Sequence, residues 1–200
     1  MTYQIPLIEN VFLNFEKNIT DTQKLDDSEE QTEPPSTIVW VKYFLAQHFS
    51  RIGEHEKAIE YIEFAKEHTP TSVEIYAGYA KVLKHAGKIE ESSEMASEAL
   101  SLDLADKYLN TKAIKYLLRA DKVEEARKLH SIYTSLFPDK SVAYSNNLVD
   151  MQVIWYEQYE ADSWLRQGET GKALFMLDRI VKHFQSHWND QILYHNHQWR

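Results

Sequence analysis

VKYFLAQHFSRIGEHEKAIEYIEFAKEHTP, Val41 to Pro70, decides the fold. Apolar residues recur at threes and fours on both sides of Gly53, the spacing of one helical face. The stretch therefore reads as two helices joined by a turn. Gly53 takes the turn because a left-handed backbone costs least at glycine. Ala46, Ala58 and Ala65 are the small residues of a close helix crossing, and Leu45, Phe49, Ile62 and Phe64 are the larger apolar contacts.

The pattern recurs every 34 residues: Gly53, Gly87 and Asp121 align, as do Pro70, Leu104 and Pro138. Ala46, Ala80 and Ile114 keep the same register, and so do Ala58, Ser92 and Ala126, and Ala65, Ala99 and Tyr133. A period of about 34 with a small-residue crossing is that of the tetratricopeptide repeat, a pair of antiparallel helices that stacks on its neighbours. A fourth copy places Ala161, Gly168, Ala173 and Ile180 in these columns, after 13 extra residues near FPDKSVAYSNNLVD, Phe137 to Asp150. That insert extends a helix or makes a loop on one face.

Composition agrees with an all-α fold. Among 200 residues there are 5 Gly and 5 Pro, too few turn formers for many strands, whereas 43% hydrophobic residues can fill a core. There is no Cys, which excludes disulfides, thiolate nucleophiles and Cys-ligated zinc and is compatible with a reducing compartment. No window approaches 18 apolar residues, so no membrane span is expected, and MTYQIPLIENVF lacks the basic start of a signal peptide.

Three regions follow. Residues 1–19 hold an amphipathic helix with Ile5, Ile8, Phe12, Phe15 and Ile19 on one face. Residues 20–37 form an acidic, flexible linker that ends near Pro34-Pro35. Residues 38–200 are the repeats, expected as a right-handed α-solenoid. The formal net charge is −9, but residues 21–33 alone carry −5, so the repeats have room for a basic surface.

Chemical motifs are sparse. RQGETGKA, Arg166 to Ala173, has two residues between its glycines where a phosphate loop has four, and Ala173 follows the Lys. It also fails the usual acetyl-coenzyme A loop and reads as the turn of the fourth repeat. His183 and His187 have zinc-compatible spacing, with His195 and His197 beyond, but no HExxH accompanies them. Acidic pairs in KIEESSE and KVEEARK read as solvated helix faces. No nucleophile has an orienting base, so catalysis by this chain is not expected.

The bases are better organised. In stacked helix pairs, residues one repeat apart lie side by side. Arg51, His85 and Arg119 form one such series, Lys81 and Lys115 another; Lys84 lies one turn from Lys81, and Lys112 one turn from Lys115. Such a ladder attracts a polyanion or an acidic partner. No stacking aromatics clearly interleave with it, which argues against direct nucleic-acid readout.

Four segments carry a family resemblance: Glu33–Thr71, KHAGKIEE from Lys84, LDLADKYLNTKAIKYLLRADKVEEA from Leu102, and Met151–Phe184. Together they resemble the auxiliary, ribosome-anchoring subunit of the N-terminal acetyltransferase A complex. The resemblance implies a long cytoplasmic superhelix that wraps a small catalytic subunit, shapes its active site and docks it on the ribosome, and of which this chain would be a central fragment that ends at Trp199-Arg200 without a cap. It implies no catalytic residue in this chain. It also implies inositol hexakisphosphate near the subunit junction, carried onto Lys84 and His85 in KHAG and onto Lys112, Lys115 and Arg119 in NTKAIKYLLRA. One position departs: Glu94 stands where relatives can carry a base. The residues taken alone leave a second reading open, a generic repeat module for an acidic peptide or protein partner.

Overall fold

The computed structural model describes residues 5–26, 32–134 and 153–198, and every regular element among them is an α-helix. In chain order they are α1 (Ile5–Thr22), α2 (Thr37–Ile52), α3 (His55–His68), α4 (Val73–His85), α5 (Ile89–Leu102), α6 (Lys107–Arg119), α7 (Val123–Thr134), α8 (Ile154–Arg166) and α9 (Thr170–Gln198). The chain divides into two compact units, one to Leu109 and one from Asn110, so the division falls inside α6.

In the first unit α2 packs on α3 and α4 on α5, with α3 against α4 and α1 against α2. The predicted small residues sit where these helices meet: Ala46, Ala58, Ala65 and Ala80 are fully buried, and Ser92 and Ala99 nearly so. Ser92 can stand in an alanine column because its hydroxyl donates to the Ala80 carbonyl at 2.6 Å, which satisfies a buried polar group across the crossing. Leu45, Phe49 and Ile62 are buried with them. Phe64 is not, with 37% of its surface exposed. Two residues past Ile62 is about 200° around the helix, so Phe64 points outward, where the Lys42 ammonium lies 4.0 Å from its ring centre.

Helix ends follow the register. Gly53, Gly87 and Gly168 have φ of 92°, 80° and 79°, and the non-glycine member of the column, Asp121, has φ of 60°. After Gly53, the Glu54 amide returns to the Phe49 carbonyl at 3.0 Å; after Gly87, Lys88 returns to Leu83 at 3.0 Å; after Asp121, Lys122 returns to Leu117 at 3.0 Å. The same six-to-one hydrogen bond therefore closes each first helix.

α1 docks through Phe12, Phe15 and Ile19, while Ile8 of the predicted face is 42% exposed. Phe12 stacks on Phe44, and Glu16 accepts from the Tyr61 hydroxyl at 2.9 Å and pairs with Lys42 at 3.1 Å. Burial, and then the Glu16 carboxylate, raise the Tyr61 hydroxyl above its ordinary pKa; burial and Glu63 do the same to Tyr79. The helix runs three residues past the expected Ile19 boundary, the Thr20 and Thr22 hydroxyls bonding back to the Glu16 and Asn18 carbonyls. It closes at Gln23, another left-handed residue. Leu25 packs on the core, and the Glu33 amide donates to the Gln23 carbonyl at 2.7 Å, so the two flanks of the acidic stretch meet beside α1. Residues 27–31 lie outside the described residues.

In the second unit Ile114, Leu117, Leu118, Val123, Ala126, Tyr156, Ala161, Trp164, Ala173 and Met176 form one core. It joins α6, α7, α8 and α9, and the fourth-copy residues Ala161 and Ala173 are fully buried in it. RQGETGKA is the α8–α9 turn, as its glycine spacing implied. The insert near Phe137–Asp150 lies outside the described residues.

The register yields a direct test. Ala58→Trp forces a large ring into the α2–α3 crossing and should cost about 1–3 kcal/mol or more through overpacking. Circular dichroism melting should show a transition several degrees lower; an unchanged melting temperature would mean that Ala58 is not at the crossing.

Candidate functional site

The ladder begins at helix ends. Arg51 lies in the last turn of α2, Lys84 and His85 in the last turn of α4, Arg119 in the last turn of α6 and Arg166 in the last turn of α8. Unsatisfied carbonyls and the helix dipole favour cations there. Arg51, His85, Arg119 and Arg166 occupy one column of the repeat, and the sequence analysis missed its fourth member.

Within the first unit the register holds. The Ser50 hydroxyl and His85 Nδ1 are 2.9 Å apart, so the end of α4 lies against the end of α2. Arg51, Lys81 and His85 are exposed, and Lys84 is half-buried. Glu94, the departing position, is exposed on α5.

Lys112, Lys115 and Arg119 belong to the second unit, on successive turns of one α6 face, and all three are half-buried. Their surroundings differ from expectation. The Lys115 ammonium lies 4.6 Å from the centre of the Trp155 ring and 5.7 Å from that of Tyr159. The Arg119 guanidinium lies 5.5 Å from the Tyr159 ring and donates to its hydroxyl at 3.3 Å. Aromatics do interleave with this part of the ladder. They come from α8, and the residues inserted between copies hide that neighbour from a 34-residue step. Cation–π contact fixes the charged heads at low entropic cost without neutralising them.

The end of α6 is clamped. Asp121 Oδ1 accepts from the Ser163 hydroxyl at 2.8 Å and from Arg166 Nε and Nη2 at 3.0 and 2.8 Å, and Arg166 Nη2 also donates to the Leu118 carbonyl at 2.7 Å. Arg166 thus completes the capping of α6 and holds the turn beside Arg119. The fourth base of the column serves the architecture.

A second polar cluster went unread in the sequence. Glu90, Glu91, Glu124 and Glu125 are exposed as expected of solvated faces, but Glu157 and Glu160 on α8 are fully buried. Glu160 accepts from the Arg127 guanidinium and from the Trp164 indole N–H, the latter at 3.2 Å. Glu157 Oε1 accepts from His183 Nε2 at 3.0 Å and pairs with Arg179 Nε at 3.5 Å. Burial opposes the Arg127 charge, but Glu160 and Glu124 outweigh it and raise its pKa; burial and Glu160 raise that of the Tyr156 hydroxyl. The legible signal was spacing: residues 157, 160, 161 and 164 share the core face of α8. His183 is spent on Glu157, and the side chains of His187, His195 and His197 lie outside the described residues.

Paired helices, small-residue crossings and left-handed turns define a tetratricopeptide-like helical-repeat protein. The family described as N-terminal acetyltransferase A, auxiliary subunit, matches residues 3–200. Over 96% of its length the chain is 36% identical to the N-terminal acetyltransferase A complex auxiliary subunit NAA15 of Arabidopsis thaliana, covering 21% of that protein. Over 98% it is 34% identical to N-alpha-acetyltransferase 16, NatA auxiliary subunit, of Homo sapiens, covering 22% of it. A solved structure of Naa15/Naa10 bound to HypK-THB superposes with TM-score 0.80 at 25% identity, over 97% of this chain and 28% of that one. The TPR-like repeats of a kinesin light chain protein of Podosopora anserina share the fold, with TM-score 0.60 at 13% identity over 90% of this chain and 87% of that one. The chain belongs to the family of N-terminal acetyltransferase A auxiliary subunits, and it spans about a fifth of the length of these curated relatives.

The clamp can be tested by two substitutions at one position. Asp121→Ala loses the Arg166 and Ser163 bonds and keeps a Cβ in the left-handed region, whereas Asp121→Gly loses the same bonds but is relieved of that Cβ. Denaturant unfolding should find the alanine variant less stable than the parent, and less stable than the glycine variant by about 1 kcal/mol. An alanine variant as stable as the parent would remove the clamp's role.

Proposed function

We propose that this segment is part of a non-catalytic scaffold that seats and shapes the catalytic subunit of an N-terminal acetyltransferase A complex. The whole chain anchors that complex to the ribosome in the cytoplasm, so that acetyl groups pass to nascent N-termini. The observation that carries the reading is the family match along residues 3–200, on a helical-repeat fold that fits a scaffold. Among the described residues no helix is long and apolar enough to cross a membrane. The test is purification of the full-length chain. It should bring down an acetyltransferase, acetylate peptides only with that partner and co-sediment with ribosomes. Peptide acetylation by the chain alone, with no second subunit detectable by mass spectrometry, would overturn the proposal.

The bases have a place in this reading. Lys112, Lys115 and Arg119 on α6 are proposed to bind inositol hexakisphosphate where the catalytic subunit docks, and Lys81, Lys84 and His85 on α4, in the other unit, are proposed separately as a basic surface for an acidic partner. Support comes from α6, where half-buried cations are ordered by Trp155 and Tyr159. Several bases on one multiply charged ligand reinforce each other, although exposed pairs are weak singly. Calorimetry on the assembled complex should show affinity falling with salt, as the Debye length shrinks from about 10 Å at 0.1 M to about 3 Å at 1 M. Lys115→Glu with Arg119→Glu should abolish binding and keep the helicity. Unchanged affinity in that double variant would overturn the α6 assignment.

A further inference from the structure

In the first unit three aromatic rings gather beside the first turn of α4. Trp40, Glu74 and Tyr108 stand one repeat apart, in a single column of α2, α4 and α6. All three are exposed, Trp40 by 49% and Tyr108 by 62%. Tyr43 lies among them. Its ring meets that of Trp40 edge-on at 5.8 Å, and its hydroxyl donates to the Glu74 carbonyl at 3.2 Å. Burial, then Glu74 and Tyr108, raise the pKa of that hydroxyl, which places both side chains within electrostatic reach of it. Gly78 makes the seat. It is buried in the middle of α4, where glycine weakens a helix, and a Cβ there would stand 2.4 Å from the Tyr43 ring. The glycine admits the ring against α4, and the ring fixes the patch.

Aromatic faces beside an exposed carboxylate attract a cation. Here the chain supplies none. Among the described residues no lysine or arginine lies over the Trp40 or Tyr43 ring, and Glu74 has no ion pair; its Oε2 accepts from the Ser72 hydroxyl at 2.9 Å. Lys81, seven residues further along α4, is about 10 Å away by helix rise. The fourth copy shows the same column filled. Trp155 holds the place of Trp40 there, and the Lys115 ammonium lies 4.6 Å from its ring centre.

We propose that this patch binds the guanidinium group of an arginine on a partner protein, stacked on Trp40 and hydrogen-bonded to the Glu74 carboxylate. Guanidinium suits an open site of this kind better than ammonium. It is planar and more weakly hydrated, so it stacks on an exposed ring, and its fork meets a carboxylate with two parallel donors. The site lies at the other end of α4 from Lys84 and His85. It is independent of the polyphosphate and acidic-partner readings of the bases.

The experiment uses the full-length chain labelled with 5-fluorotryptophan, alone and with its catalytic subunit, the Trp40 resonance being assigned by its loss in Trp40→Phe. Acetyl-Gly-Arg-Gly-amide should shift that resonance of the chain alone saturably in the millimolar range. The same peptide with citrulline for arginine, alike in shape but uncharged, should not. Acetyl-Gly-Lys-Gly-amide should bind at least threefold more weakly, and Glu74→Gln, a change at an exposed position, should weaken the arginine peptide by as much. The complex identifies the partner. A Trp40 resonance that no longer answers the peptide there assigns the arginine to the catalytic subunit, and an undiminished shift assigns it to another protein; either supports the site. No saturable shift in the chain alone, an equal response to the citrulline or lysine peptide, or unchanged affinity in Glu74→Gln overturns the proposal.

Discussion

Where α2 crosses α3, Ala46 and Ala58 are fully buried with nothing larger than a methyl group on either. Small side chains let two helices approach closely, and close approach lets Leu45, Phe49 and Ile62 reach the shared core. α4 and α5 repeat the arrangement with Ala80 and Ser92, and α8 and α9 with Ala161 and Ala173. Most other features are consequences of this constraint. The left-handed turns bring each second helix back at once onto the first. The bases at the first-helix ends are kept in one column because each helix must stop at the same place relative to its crossing.

The repeats were legible because periodicity reports columns, and columns report burial. Ala58, Ser92 and Ala126 align in sequence and are all buried in the structure. Reading failed where a residue's direction, rather than its column, decides. Phe64 is as apolar as Ile62 but faces away from the core. Glu157 and Glu160 are as charged as Glu124 and Glu125 but face into it, and only their spacing with Ala161 and Trp164 betrays them. Residue type reports the transfer cost of a side chain; position on the helix decides whether that cost is met.

The candidate site was legible by halves. The α4 bases, and the contact of His85 with α2, follow from a repeat step within an unbroken register. The aromatic partners of Lys115 and Arg119 do not, since Trp155 and Tyr159 lie beyond the inserted residues. The column itself has two uses. Arg119 carries its charge beside an aromatic ring, while Arg166 closes an ion pair with Asp121. A base at the end of a first helix is electrostatically welcome whatever follows, so the column alone does not tell ligand binding from architecture.

The turn after α6 has an evolutionary side. A glycine turn makes no side-chain contacts, so a repeat that ends in one can be duplicated, deleted or exchanged without regard to its neighbour. Asp121 gives up that neutrality. Its carboxylate recognises Arg166 and Ser163 and nothing generic about a helix pair. The junction is therefore addressed: the third copy accepts the fourth as its successor, and repeat shuffling is penalised at this turn.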